Sequence, residues 1–204
     1  FEKNCLIKSK TCNSDQVKVL GSPRFDKIIS KIDENSTQKG NAITLFSFRH
    51  TIASYKLDRR TSNDGFSYNG EGAIKLFDSV HGEFANQAIL NPKVIFYIKL
   101  KFFGRWKNYV DKAIKNYTNV SSSDIPNLRI IQKTDPQNLI AESNLVIGIN
   151  STALVESRIL GKKTAVPVFE EAKESLKEYI YLDKFFGNEI YEIKSILDFK
   201  NLIT

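Results

Sequence analysis

Apolar residues along this chain gather into short runs, and between them the spacing changes to a helical one. The runs are Ala42–Phe48, Val94–Leu100, Leu128–Ile131, Leu145–Ile149 and Thr164–Phe169, with a weaker sixth at Glu189–Ile193. Helical spacing covers Glu71–Leu90, Trp106–Tyr117, Pro136–Glu142, Thr152–Leu160, Glu170–Tyr179 and Ser195–Leu202. Strands that are β-branched on both faces and alternate with helices predict a parallel sheet covered on both sides. The expected architecture is a doubly wound α/β domain over residues 41–204. Two joints are punctuated. Thr134-Asp135-Pro136-Gln137 offers a cap, a proline at the first helical position and a glutamine three residues after Thr134. Gly161 stands where a glycine ends a helix, just before Lys162 and Lys163.

The first 40 residues are less regular and are expected to form a short N-terminal segment ending in a linker. Gln16–Gly21 reads as a β-like run closed by a turn, Phe25–Asp33 has helical spacing, and Glu34–Asn41 is polar. Residues 52–71 read as a loop that either closes over a ligand or is a disordered insertion.

Composition narrows the class. The chain has 204 residues, 41% hydrophobic and 26% charged, which excludes wholesale disorder. No apolar run approaches the roughly 18–20 residues of a membrane span; Val94–Phe103 is interrupted by Lys99 and Lys101. Cys5 and Cys12 cannot make a disulfide scaffold, so a reducing, cytoplasmic setting is expected. The chain begins at Phe1 and contains no Met, which predicts a part of a longer protein. Its 30 basic against 23 acidic residues give a net charge of +7. The lysines are spread over helices without an aromatic-interleaved stripe, so no nucleic-acid partner is expected. A solvated basic surface and peripheral association with an anionic membrane explain the charge equally well.

In a doubly wound sheet, ligands bind beyond the carboxyl ends of the strands. That rule selects Ser47, Arg49 and His50 after the first run, Lys99 and Lys101 at the second, Gln132, Lys133 and Thr134 after the third, and Asn150, Ser151 and Thr152 after the fourth. A helix opening at Ser151-Thr152 exposes N–H groups and hydroxyls suited to an anion, and Glu156 lies one turn inside, within reach of a ribose hydroxyl. The plainer alternative is that Ser151 or Thr152 caps the helix. Lys99 and Lys101 alternate and are expected on one face, at the strand exit or against an anion. Arg49 and His50 form a basic pair able to hold a diphosphate or an acid; the plainer alternative is a structural histidine. Other signals are poor. Gly65, Gly70 and Gly72 match no phosphate-loop fingerprint, Cys5, Cys12, His50 and His81 lack zinc spacing, and no Gly-x-Ser-x-Gly elbow is present.

Val19-Leu20-Gly21-Ser22-Pro23-Arg24-Phe25-Asp26 resembles the Gly-x-Pro-Arg-x-Asp turn that joins the two Rossmann-like domains in bacterial surface-carbohydrate transferases of the GT-B architecture. Asp135–Ile140, Ser143–Gly148, Ser151–Glu156 and Leu160–Lys163 resemble the C-terminal, nucleotide-binding half of that group, which includes teichoic-acid glycerophosphotransferases and Kdo transferases. The resemblance implies a nucleotide-activated sugar, with CMP-Kdo as one candidate, transferred to a surface polysaccharide or lipopolysaccharide acceptor. It places Arg24 and Asp26 at an interdomain cleft, Gln132, Lys133 and Thr134 beside the base, and Ser151, Thr152 and Glu156 at the phosphate and ribose. Relatives often carry Lys-Pro-His-Pro after the second strand. This chain has Lys99-Leu100-Lys101 there, which favours sugar transfer over glycerophosphate transfer. Lys99, Lys101 and Arg49 would stabilise the leaving nucleotide phosphate with no metal cofactor, and a catalytic base would lie on a preceding N-terminal domain. A glycerophosphotransferase, a nucleotide-sugar epimerase and a non-catalytic interaction module are the alternatives.

Overall fold

The computed structural model describes residues 2–19, 25–26, 40–49, 73–101, 104, 106–173 and 190–203. Six strands, β1 (Ala42–Phe46), β2 (Ile95–Lys99), β3 (Leu128–Ile131), β4 (Ser143–Gly148), β5 (Lys163–Pro167) and β6 (Tyr191–Ile193), form one sheet. Their order is β3-β2-β1-β4-β5-β6, and every neighbouring pair is parallel. The described α-helices are α1 (Glu2–Lys8), α2 (Ile74–Leu90), α3 (Trp106–Thr118), α4 (Pro136–Glu142), α5 (Thr152–Ile159) and α6 (Ile196–Ile203). The chain winds outward from β1 to β3, returns through α4 to place β4 beside β1, and winds outward again. The helices form two packed groups: α2 packs on α3 and on the C-terminal α6, and α4 packs on α5. This is the doubly wound, Rossmann-like arrangement.

Parallel strands covered on both faces must be apolar on both, and the middle of the sheet is. β1 is buried along its whole length, and Phe96, Ile98, Val146 and Ile147 are fully excluded from water. Phe84 of α2 meets Phe96 edge-to-face at 5.2 Å. Two of the polar exceptions pair with each other: Thr44 donates to Ser143 at 2.7 Å, and Ser143 donates to the Leu139 carbonyl at 2.6 Å. That pairing removes the desolvation penalty of two buried hydroxyls at the β1–β4 seam.

Several sequence expectations change. β4 begins at Ser143 rather than Leu145, directly after α4, with no loop between them. Val17–Val19 forms no strand; the turn before it, Ser14–Gln16, is a 3₁₀ turn closed by reciprocal bonds with Asn13. Of the expected helix at Glu170–Tyr179, the described part is a single 3₁₀ turn, Glu170–Ala172; residues 174–179 lie outside the described residues, as do 27–33 and 52–71. The cap of α4 is Asp135, the residue before the N1 proline: its carboxylate accepts from the Gln137 backbone N–H at 2.9 Å. A carboxylate also suits the positive end of the helix dipole better than a hydroxyl does. Asp135→Ala should therefore cost about 1 kcal/mol of stability and Thr134→Ala less than about 0.5 kcal/mol, as read by urea denaturation. Gly161 has φ +67°, the left-handed conformation expected after a helix, and its N–H returns to the Arg158 carbonyl at 2.9 Å.

Candidate functional site at the carboxyl edge of the sheet

Strand register assembles this edge. Phe46 is level with Lys99 on one side and Gly148 on the other, and Lys99 is level with Ile131. One row of four strand ends therefore runs across β3, β2, β1 and β4. Beyond it lie Gln132–Thr134, Leu100–Lys101, Ser47–Arg49 and Ile149–Thr152. The winding direction reverses between β1 and β4, the switch point at which doubly wound sheets open a crevice.

Between β4 and α5 the chain turns sharply. Asn150 holds φ +46°, unusual for a residue with a side chain, and asparagine tolerates it better than most. Ser151 then caps α5, its hydroxyl accepting from the Ala153 N–H at 3.3 Å. The capping reading of Ser151 is thus realised. Thr152 is exposed at the first position of the helix, while Glu156 is 1% exposed and buried one turn inside. The N-terminus of α2 is filled from within the chain. Both Glu171 oxygens accept from it, from the Lys75 N–H at 3.0 Å and the Leu76 N–H at 2.8 Å. Replacing that remote carboxylate with Ala should lower stability by about 1 kcal/mol, measurable by thermal denaturation.

Lys99 ends β2 with its ammonium half-buried. It donates to the Gln132 carbonyl at 2.6 Å and the Leu100 carbonyl at 3.2 Å. Burial lowers its pKa from the ordinary lysine value, so a nearby anion would be welcomed. Lys101 is not its strand-face companion: the strand stops at Lys99, and Lys101 is exposed in a bend beyond it. Arg49 and Lys133 are exposed at the ends of β1 and β3, and Gln132 and Thr134 are half-buried beside Lys133. Asp26 is exposed; His50 and Arg24 lie outside the described residues.

Ser47 has a different occupation from the one expected. It is 5% exposed, and its hydroxyl lies 2.9 Å from His81 Nε2 and accepts from the Trp106 indole N–H at 3.2 Å. The strand-end rule selects neither His81 nor Trp106. No short-range pattern announces them, since they reach Ser47 from mid-helix α2 and from the start of α3.

Among the described residues no group of three or more His, Cys, Asp or Glu side chains is placed to hold a metal ion, and no helix is long and apolar enough to cross a membrane. No protein-family model and no curated protein matches this sequence. A solved structure, the beta Kdo 2,4 transferase KpsC of Thermosulfurimonas dismutans, is similar with a TM-score of 0.34 and 12% sequence identity. The likeness covers 72% of this chain and 45% of that one, so it takes in less than half of that protein's length.

Proposed function

We propose that this chain is the nucleotide-sugar-binding part of a glycosyltransferase that builds a bacterial surface polysaccharide or lipopolysaccharide, with CMP-Kdo the first donor to test. The observation that carries the reading is the register at the carboxyl edge. It sets Lys99 level with the last residues of β1 and β4, one residue short of the segments that hold Arg49 and the Asn150–Thr152 turn. The likeness of the Gly21–Asp26 turn and the 135–163 segment to the GT-B transferases supports the same reading.

In such a reaction an acceptor hydroxyl attacks the anomeric carbon while the bond from that carbon to the nucleotide phosphate oxygen breaks. Negative charge grows on the departing phosphate. Lys99, with two of its protons held by carbonyls, keeps one N–H for that oxygen; Arg49 and Lys101 add positive charge from the neighbouring strand ends. Pre-placed cations stabilise such charge without reorganising during the step. The positive end of α5, with the exposed Thr152 hydroxyl, would receive the phosphate, and Gln132–Thr134 would border the base. The proton of the acceptor hydroxyl goes to a base on a separate, N-terminal domain.

Substitutions at the α5 turn separate capping from binding. Ser151→Ala should cost about 1 kcal/mol of stability through loss of the cap. Thr152→Ala should leave stability within about 0.5 kcal/mol of wild type and weaken CMP binding about tenfold, one charge-assisted hydrogen bond being worth that much. Calorimetric titration beside thermal denaturation measures both, and unchanged CMP affinity in Thr152→Ala would remove that hydroxyl from the site.

A further inference from the structure

Ser47, His81 and Trp106 are separated by 34 and 59 positions in sequence, yet they form one buried hydrogen-bonded chain at the end of β1. Its proton order follows from the partners. His81 Nδ1 lies 2.7 Å from the Phe77 carbonyl, which can only accept, so Nδ1 carries the proton. Nε2 is then the lone-pair end, and the Ser47 hydroxyl donates to it. The Trp106 indole donates to the same oxygen. The imidazole is fully buried, with the Phe77 ring at 4.0 Å and the Phe48 ring at 5.4 Å.

The chain does not stop at Ser47. Its backbone N–H donates to the Lys99 carbonyl at 3.0 Å, the Leu100 N–H donates to the Ile131 carbonyl at 2.8 Å, and the Lys99 ammonium reaches the Gln132 carbonyl at 2.6 Å. Bonds thus run from Trp106 through the ends of β1 and β2 to β3, the stretch of edge assigned above to the anion and the base. With its proton given to His81 and a lone pair taken by Trp106, the Ser47 hydroxyl is engaged within the protein.

We infer that Ser47, His81 and Trp106 are positioning residues: they fix the carboxyl ends of β1, β2 and β3 relative to one another and act on a bound nucleotide through Lys99 and Arg49, not by touching it. What is positioned rests on the nucleotide-sugar reading; the coupling of the three strand ends does not. An ordinary structural hydrogen bond would stabilise the core without altering ligand affinity in a folded variant.

The test uses the full chain as wild type, Ser47→Ala, Ser47→Thr and Trp106→Phe, the last retaining a ring against Phe77 while losing the N–H. Amide hydrogen exchange is read at Ser47 and Leu100, with Val146 and Ile147 in β4 as the internal reference, and CMP is titrated in parallel. Losing one buried hydrogen bond in Trp106→Phe should speed exchange at both residue 47 and Leu100 about tenfold and weaken CMP binding about tenfold, and losing two in Ser47→Ala should do so at least as much. The reference amides should stay near wild type, and Ser47→Thr should restore both readings. Trp106 is the sole tryptophan, so its single indole N–H resonance reports the network directly, and CMP should shift it in wild type. Unchanged exchange at Leu100 in Ser47→Ala and Trp106→Phe would overturn the coupling. Faster exchange with unchanged CMP affinity would overturn the positioning role. If wild type binds no CMP, UDP or GDP, the proposed function falls, while exchange at Leu100 still decides the network.

Discussion

Acidification should destabilise this protein by about 3 kcal/mol through His81 alone. The imidazole is fully buried, and burial lowers its pKa from 6.5 to about 4 against the weaker opposing pull of the Phe77 carbonyl. As pH falls below 6.5 the unfolded chain takes up a proton that the folded chain refuses, so stability drops. The loss proceeds at up to about 1.4 kcal/mol per pH unit and ends near the folded pKa, below which both states are protonated. Above 6.5 this group adds no pH dependence. Carboxylates also titrate in that window, so the comparison must be internal. His81→Gln should be less stable than wild type near pH 7.5, yet it should lose about 3 kcal/mol less than wild type between pH 7.5 and about 4, as followed by urea denaturation. Equal losses in the two proteins would show that His81 does not carry the acid sensitivity.

Gly82→Ala should be strongly destabilising although it adds a single methyl to a helix. Helix propensity alone predicts the opposite, because alanine is favoured over glycine inside a helix by about 1 kcal/mol. Here, however, a Cβ at position 82 would sit 2.3 Å from Tyr117 Cγ and 2.4 Å from Tyr117 Cβ. Those atoms are the root of a side chain fixed on α3, so they cannot swing aside as a flexible tip would. The Tyr117 hydroxyl donates to the buried Glu83 carboxylate at 2.9 Å, and burial together with that bond pushes its pKa up to about 12. Forcing the ring away both overpacks the α2–α3 contact and removes a donor from a carboxylate with no exposure to water. The two effects together should cost about 3 kcal/mol, or roughly 10 °C in the thermal midpoint. Gly82→Ala/Tyr117→Ala, which removes Cγ and the ring but keeps Cβ, should recover only part of the packing loss. A thermal midpoint for Gly82→Ala at or above wild type would mean that propensity outweighs the contact.

What could be read from the sequence is what local chemistry determines. Leu128–Ile131 and Pro136–Glu142 are found as expected because each is bounded by its own signals: a short β-branched run in one case, a cap and an N1 proline in the other. The carboxyl edge was legible because alternating strands and helices imply a parallel sheet, and a parallel sheet has one edge where ligands bind. Contacts between distant segments were not legible. Gly40 is needed because a Cβ there would collide with the Glu142 carbonyl at 1.7 Å, more than 100 positions away. Glu171 caps α2 across 95 residues, and nothing near either partner marks the pairing. Ser47 looked like a ligand residue because it stands at a strand end; only the arrival of α2 and α3 reveals its engagement with His81 and Trp106. His81, weighed in the sequence only as a zinc ligand, fills one side of that same contact.

The measurement closest to the central claim is calorimetric titration of the full chain with CMP, CDP, UDP and GDP, beside the variant Arg49→Ala/Lys99→Met. The carboxyl-edge account predicts one-to-one, selective binding of CMP that weakens by about a hundredfold in the variant, two charge-assisted contacts having been removed. Absence of binding to all four nucleotides, or CMP affinity equal in wild type and variant, would contradict it.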